Sequence, residues 1–136
     1  MLFPLPTLNL NEKTCINTIQ MLLKALNVNA EKKDIHKIKE YPDYPSLLCI
    51  SDFLTDRNID NIAIQANFMS ISELPTPFIA QIQTDNWESF FVVVKEYNSE
   101  KVIISHNYNQ RWKKLSAEDF LRQFTGVTLL VDTSNE

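Results

Sequence analysis

Residues 90–94 read Phe-Phe-Val-Val-Val, an unbroken run of aromatic and β-branched side chains. Residues of these types are enriched in strands, where they fit a pleated and largely buried surface. We therefore expect a β-strand here, and we assign Val92, Val93 and Val94 to the protein core.

The chain around this run contains further short segments of the same kind. All of them lie after Asn58, and they span residues 62–66, 78–82, 101–105 and 127–131. Segments of this length and composition predict the strands of a mostly antiparallel sheet.

A short helix is predicted between the last two of these strands, from Ser116 to Phe124. Ser116 and Asp119 have the spacing of a helix N-terminal cap. Gly126, the only glycine of the chain, is placed where it would end the turn after this helix.

The first sixty residues show a different, helical periodicity. Between Glu12 and Asn27 the apolar residues recur at helical spacing, with Asn11 as a natural N-cap. The members of this stripe are Cys15, Ile16, Ile19, Leu22, Leu23 and Leu26. Cys15 would lie in or just after the first turn.

Two more helices are predicted before the sheet begins. One starts after Asn29, carries Ile35 and Ile38 inward and is stopped by Tyr41-Pro42. The other is capped by Ser46, and its apolar residues are Leu47, Leu48, Ile50, Phe53 and Leu54. The fold class is therefore α+β, and we expect a single domain over 1–136, with a helical lobe at about 9–58 and a sheet lobe at about 59–132.

Composition excludes several functions. The 136 residues contain 13 Lys and Arg against 17 Asp and Glu, a net charge of −4 with no basic stripe, so nucleic acid is not an expected partner. Without a glycine-rich loop we expect no nucleotide site, and we expect no other cofactor. Cys15 and Cys49 form no C-x-x-C pair and stand near no histidine cluster, so no metal site is predicted.

The same features bear on location. Two cysteines do not make a disulfide framework, which favours a reducing, cytoplasmic compartment. No apolar run approaches the roughly 18 residues of a membrane span, although the sequence is compatible with one domain of a longer membrane protein.

Cys15 is the candidate nucleophile. A thiol near a helix N-terminus faces the positive end of the helix dipole, which favours the reactive thiolate. The alternative is that Cys15 is simply the first buried member of an apolar stripe. A cysteine peptidase also needs an imidazole base, and the only histidines are His36, among lysines, and His106, after the predicted strand 101–105.

Several segments, taken in order, carry a family resemblance. They are Leu26-Asn-Val, which ends the helix that Cys15 opens, Pro45-Ser-Leu-Leu-Cys-Ile-Ser-Asp, Leu74-Pro-Thr-Pro-Phe-Ile-Ala, Phe90-Phe-Val-Val-Val, and Leu115-Ser-Ala-Glu-Asp-Phe before Thr125-Gly-Val-Thr-Leu-Leu. In this order the chain resembles the papain-like peptidase domain of bacteriocin-exporting ABC transporters, family thirty-nine of the cysteine peptidases. That family removes double-glycine leader peptides on the cytoplasmic side of the membrane.

The resemblance implies a degenerate catalytic site. Cys15 matches the nucleophile, and Asn9 stands where the family has its oxyanion glutamine, six residues earlier. Phe90 stands in place of the catalytic histidine, and His106 in place of the orienting aspartate. Loss of the imidazole would remove the base that creates the thiolate.

Three functions follow as hypotheses. The first is an inactive peptidase-like domain that binds a peptide, a leader segment or a partner surface in a cleft lined by Asn9, Cys15, Phe90, His106 and Trp87. The second is an active cysteine peptidase that uses Cys15 with a rewired His106. The third is a soluble regulatory domain of a membrane transporter or thiol-redox protein, held at the inner face of the membrane by a parent chain.

Overall fold

The computed structural model describes residues 12–66, 71–106 and 109–132. Four α-helices are present in these ranges, and all three predicted helices of the first half are among them. The helices are α1 (Glu12–Ala25), α2 (Lys32–Ile35), which continues as a 3-10 turn (His36–Glu40), α3 (Leu47–Asp56) and α4 (Ala117–Gln123); a second 3-10 turn covers Ile71–Glu73.

One six-stranded sheet follows, in the order β1-β6-β2-β3-β4-β5, with every neighbouring pair antiparallel. Its strands are β1 (Asn61–Gln65), β2 (Phe78–Gln83), β3 (Ser89–Tyr97), β4 (Lys101–Ser105), β5 (Trp112–Ser116) and β6 (Phe124–Val131). This arrangement confirms the α+β fold class.

Strand β5 was not predicted. Its sequence, Trp-Lys-Lys-Leu-Ser, contains only two apolar residues, and both are half-buried. It lies at the edge of the sheet, where backbone hydrogen bonds to β4 place it without a buried face of its own. Tertiary pairing, and not local composition, makes it a strand.

Strand β3 is buried on both faces and divides the core into two clusters. Phe91 and Val93 pack with α1 and α3, together with residues of β2 and β6. Phe90, Val92 and Val94 enter the second cluster, which includes α4 and β4. Successive side chains of a strand point to opposite faces, so these two clusters lie on opposite sides of the sheet. The three valines are fully buried, which confirms their assignment to the core.

Helix α1 ends at Ala25, two residues before the predicted end. Asn27 adopts a left-handed φ of 58°, and the N–H of Val28 donates to Leu23 O (2.9 Å) while that of Asn27 donates to Lys24 O (3.1 Å). Asparagine tolerates this conformation, which commonly closes a helix.

The role expected of Gly126 was wrong. Helix α4 runs directly into β6 at Phe124, and Gly126 lies within that strand with a φ of 98°. A Cβ added there would lie 2.0 Å from Gln65 Nε2 and 2.9 Å from Ala66 O. The glycine is therefore required by the close approach of β1 and by its own backbone conformation, not by a helix end.

Replacing Gly126 by alanine should therefore destabilise the protein. We expect Gly126→Ala to lower the free energy of unfolding by about 2–4 kcal/mol, because it adds a clash to a backbone conformation that alanine disfavours. Urea denaturation would measure the change. The double variant Gln65→Ala/Gly126→Ala should recover only the part due to the side-chain clash, and a loss below about 0.5 kcal/mol in Gly126→Ala would contradict the assignment.

Candidate functional site

Cys15 is buried, with 1 % of its surface exposed, in the cluster that joins α1 to α3. Its thiol makes a hydrogen bond to the thiol of Cys49, and the backbone of Ser46 lies beside both sulfurs. The candidate nucleophile therefore faces a neighbouring helix, from inside the core.

The electrostatics of this pair oppose a nucleophilic Cys15. The hydrogen bond to Cys49 and the burial of the thiol raise the pKa of Cys15 far above its ordinary value. The same hydrogen bond, together with those to Ser46, lowers the pKa of Cys49, while its burial acts in the opposite direction. The activation of Cys15 that a helix N-terminus would supply is outweighed by these two effects.

Cys49 is a site residue that the sequence analysis did not single out. It is the third residue of α3, and its backbone N–H donates to Ser46 Oγ (3.1 Å) while its sulfur accepts from the backbone N–H of Ser46 (3.3 Å). This is a capping box in which cysteine takes the place usually held by glutamate or glutamine. The Ser-x-x-Cys spacing at the predicted helix cap was the sequence feature that could have identified Cys49 as a capping residue.

Three further buried polar residues lie along α1: Thr14, Asn17 and Thr18. The Thr18 hydroxyl donates to Phe91 O of β3 (2.8 Å) and lies 2.7 Å from Thr14 O. Through Thr18, this polar edge of α1 contacts the central strand. Buried threonine and asparagine within an apolar helix pattern were the only sequence signal for it.

Asn17 connects α1 to the loop that follows β4. Its side-chain amide donates to His106 O (2.8 Å) and to Asn109 O (3.2 Å), and Asn17 is only 6 % exposed. One buried side-chain amide thus donates hydrogen bonds to two backbone carbonyls of the loop. The loop containing His106 is fixed against the same helix that carries Cys15.

His106 is half-buried at the end of β4. Its backbone N–H donates to Arg111 O (2.9 Å), and its Nδ1 accepts weakly from the N–H of Asn109 (3.4 Å). The preceding residue, Ser105, is buried and accepts the backbone N–H of Val93 (2.9 Å). The contacts of His106 described here are with its own loop and with α1.

The other candidate residues lie elsewhere. Phe90 belongs to the core cluster on the face of the sheet opposite the one that contains Cys15. Trp87 is 83 % exposed in the turn between β2 and β3, with a left-handed φ of 63°. Asn9 lies outside the described residues. The structure therefore brings His106 to the helix of Cys15, but leaves Phe90 and Trp87 apart from it.

Trp87 borders a groove of about 520 Å³. One wall is the β2–β3 turn, and the other is the junction between α4 and β6. The remaining lining residues are Gln83, Thr84, Asp85, Arg122, Gln123, Phe124 and Thr125. Most of these side chains are uncharged hydrogen-bonding groups, and an indole ring projects beside them.

The described residues offer no metal site, since no group of three or more His, Cys, Asp or Glu side chains is assembled among them. Over the same ranges, no helix is both long and apolar enough to cross a lipid bilayer.

The described residues thus combine a cysteine on an N-terminal helix, a histidine loop held against that helix and an antiparallel sheet. The model of the peptidase C39 family matches residues 7–136, and the chain belongs to this family. The resemblance inferred from the order of the sequence segments is confirmed. Among curated proteins, no significant match was found.

Solved structures of similar fold include peptidase domains of transporters. The peptidase domain of Streptococcus ComA, a bifunctional ABC transporter of a quorum-sensing pathway, has a TM-score of 0.69 at 16% identity over 90% of this chain and 93% of that one. A double-glycine-motif protease from an AMS/PCAT transporter, solved with the leader peptide, gives 0.71 at 16% identity over 94% and 91%.

A third similar structure is described as a peptidase C39-like domain. It is the N-terminal domain of the toxin secretion ATP-binding protein from Vibrio parahaemolyticus, with a TM-score of 0.68 at 16% identity over 90% of this chain and 98% of that one. At this level of identity the likeness concerns the fold.

The thiol arrangement predicts an order of chemical labelling. With iodoacetamide under native conditions, Cys49 should react before Cys15, and both should react at least about 100-fold more slowly than in the unfolded chain. Peptide mass spectrometry at timed intervals would measure both rates. Rapid labelling of Cys15 at mildly acidic pH, abolished by His106→Ala, would instead support the rewired peptidase.

The contacts of Asn17 predict a second effect. Asn17→Ala should lower the free energy of unfolding by about 1–3 kcal/mol, since the carbonyls of His106 and Asn109 each lose a donor in a partly buried site. Urea denaturation would measure it. Gln20→Ala is the matched control, because Gln20 accepts an exposed hydrogen bond from Gln110 (2.8 Å) between the same helix and the same loop, and should cost less than about 0.5 kcal/mol. Equal losses in both variants would contradict the role of Asn17.

Proposed function

We propose that this C39-family domain does not cleave peptides, and that it binds an extended peptide or leader segment. The observation that carries the proposal is the Cys15 thiol, which is buried and hydrogen-bonded to Cys49. A nucleophile must present a thiolate to a substrate carbonyl, whereas this thiol retains its proton inside the core.

The residue at the position of the catalytic histidine supports the same conclusion. By the family resemblance, Phe90 takes the position of the catalytic histidine, and a phenyl ring accepts no proton. Phe90 also packs in the cluster on the opposite face of the sheet from Cys15. By the same resemblance, His106 takes the place of the orienting aspartate and not that of the base. General-base assistance, typically worth 10²–10⁴-fold in rate, is therefore not available to Cys15 from Phe90.

The groove beside Trp87 is the binding site that we propose. An indole that is 83 % exposed offers a large apolar contact, and aromatic residues of this kind commonly anchor bound peptides. The amide and hydroxyl groups of Gln83, Thr84 and Gln123 line the same groove and suit the N–H and C=O groups of an extended backbone. Of the residues that the sequence analysis assigned to a binding cleft, only Trp87 is included in the site proposed here.

The comparisons support a role in transport. The similar structures include a peptidase domain of an ABC transporter and a protease from an AMS/PCAT transporter that was solved with the leader peptide. We infer that this domain recognises a leader-type peptide for a transporter or other membrane module of a parent chain, at the inner face of the membrane. Neither a metal nor an organic cofactor is needed for this role.

A cleavage assay tests the inactive state. A synthetic leader-type peptide ending in Gly-Gly before a short cargo should remain intact during prolonged incubation with the reduced domain, as followed by mass spectrometry. The Cys15→Ala variant serves as the background control. Cleavage after Gly-Gly that disappears in Cys15→Ala would establish an active peptidase and overturn the proposal.

A binding assay tests the groove. In a Trp112→Phe background, where Trp87 is the only remaining tryptophan, the same peptide should change the indole fluorescence in a saturable way. Removal of the anchor in Trp87→Ala should weaken binding at least about tenfold, measured by calorimetry. The matched control is Ile62→Ala, which removes an exposed apolar side chain (51 %) from β1 and should change the affinity less than twofold. Equal affinity in Trp87→Ala and the parent protein would exclude this groove.

A further inference from the structure

The two cysteines meet across the junction between α1 and α3. Cys15 and Cys49 are both buried in one core cluster, at 1 % and 0 % exposure, and their thiols are hydrogen-bonded to each other. They are the only cysteines of the chain, and both are free. Because they lie 34 residues apart in sequence and in no recognised motif, only the folded state makes them neighbours.

The two thiols of this pair differ in their surroundings. Cys49 sits at the N-terminal turn of the ten-residue helix α3, where the Ser46 N–H donates to its sulfur (3.3 Å) and the Cys15 thiol lies beside it. In the thiol form Cys49 donates to Ser46 O (3.1 Å). Both the thiol and the thiolate of Cys49 therefore have hydrogen-bond partners at this position. A Cys49 thiolate would act as the capping acceptor that glutamate normally supplies.

From this geometry we infer that Cys15 and Cys49 form a reversible disulfide that links α1 to α3. Nothing in the peptide-binding role requires this bond, and it uses neither Trp87 nor the groove beside it. The site is a redox modification site within the core of the helical half of the protein.

The chemistry needs a disulfide oxidant, such as oxidised glutathione or a protein disulfide. The Cys49 thiolate, after loss of its proton, attacks one sulfur of the oxidant, and the first thiol leaves. Cys15 then loses its proton and attacks the Cys49 sulfur of the mixed disulfide, which releases the second thiol. Two electrons pass from the cysteine pair to the oxidant, and the two protons end on the released thiols.

The order of attack follows from the hydrogen bonds. The contact with the Cys15 thiol and the hydrogen bonds with Ser46 lower the pKa of Cys49 and make it the better thiolate, although its burial and the nearby Asp52 carboxylate act in the opposite direction. Cys15 keeps its proton until the mixed disulfide forms, and then serves as the resolving thiol. Burial of both sulfurs makes the first step depend on a transient opening of the N-terminal turns of α1 and α3.

Equilibration of the folded, full-length chain in glutathione redox buffers tests the proposal. The expected product is a monomer that has lost two hydrogen atoms, with a Cys15–Cys49 cross-link found by peptide mapping. Its thermal midpoint should exceed that of the reduced protein by roughly 10 °C, because the bond closes a long loop in the unfolded chain. Added dithiothreitol should reverse both changes.

Single variants test the order of attack. Cys15→Ser should accumulate a glutathione adduct on Cys49, since the resolving thiol is missing, whereas Cys49→Ser should acquire little adduct on Cys15. Circular dichroism would establish that each variant is folded, and the wild-type experiment does not depend on them. The proposal is overturned if the wild-type thiols stay reduced in buffers that oxidise the same chain in urea, or if only mixed disulfides and dimers form.

Discussion

Strand β3 places side chains in two separate hydrophobic clusters, because successive residues of a strand point to opposite faces of the sheet. Phe91 and Val93 pack in the cluster that contains α1 and α3, while Phe90 and Val92 pack in the cluster that contains α4. Both faces of the segment 90–94 must be covered, since within it neither face carries a polar residue that would tolerate water. The three N-terminal helices and α4 are therefore committed to opposite sides of one sheet.

This commitment explains the state of the candidate catalytic residues. In the helical cluster, α1 turns its polar edge, with Thr14 and Thr18, toward β3 and turns Cys15 toward α3. The position that the family resemblance assigns to the histidine, Phe90, points into the other cluster. A thiol and an aromatic ring are both stable in an apolar core. Cys15 and Phe90 are therefore suited to core packing and not to acid–base chemistry.

The Cys15 thiol and the Trp87 groove lie in very different environments. The Cys15 sulfur lies inside the protein, beside Cys49 and Ser46. The groove lies in an exposed turn whose strained backbone, with Trp87 at a φ of 63°, displays an indole to solvent. Strain of this kind is retained where the surrounding structure enforces it, often at binding sites.

Local sequence was sufficient for much of this description. Helical periodicity identified α1 and α3, a Ser cap located the start of α3, and β-branched runs identified five of the six strands, because these signals act within a few residues. The family followed from the order of the segments. Three features could be seen only in the tertiary structure. They are the edge strand β5, the place of Gly126 in β6 and the separation of Phe90 from Cys15. Each depends on a partner distant in sequence: a neighbouring strand, Gln65 across the β1–β6 pair, or the opposite face of a sheet.

For Cys15, the sequence alone established a thiol near the start of a helix. Only the folded chain decided that its neighbour is Cys49, because packing of α1 against α3 determines what the sulfur meets.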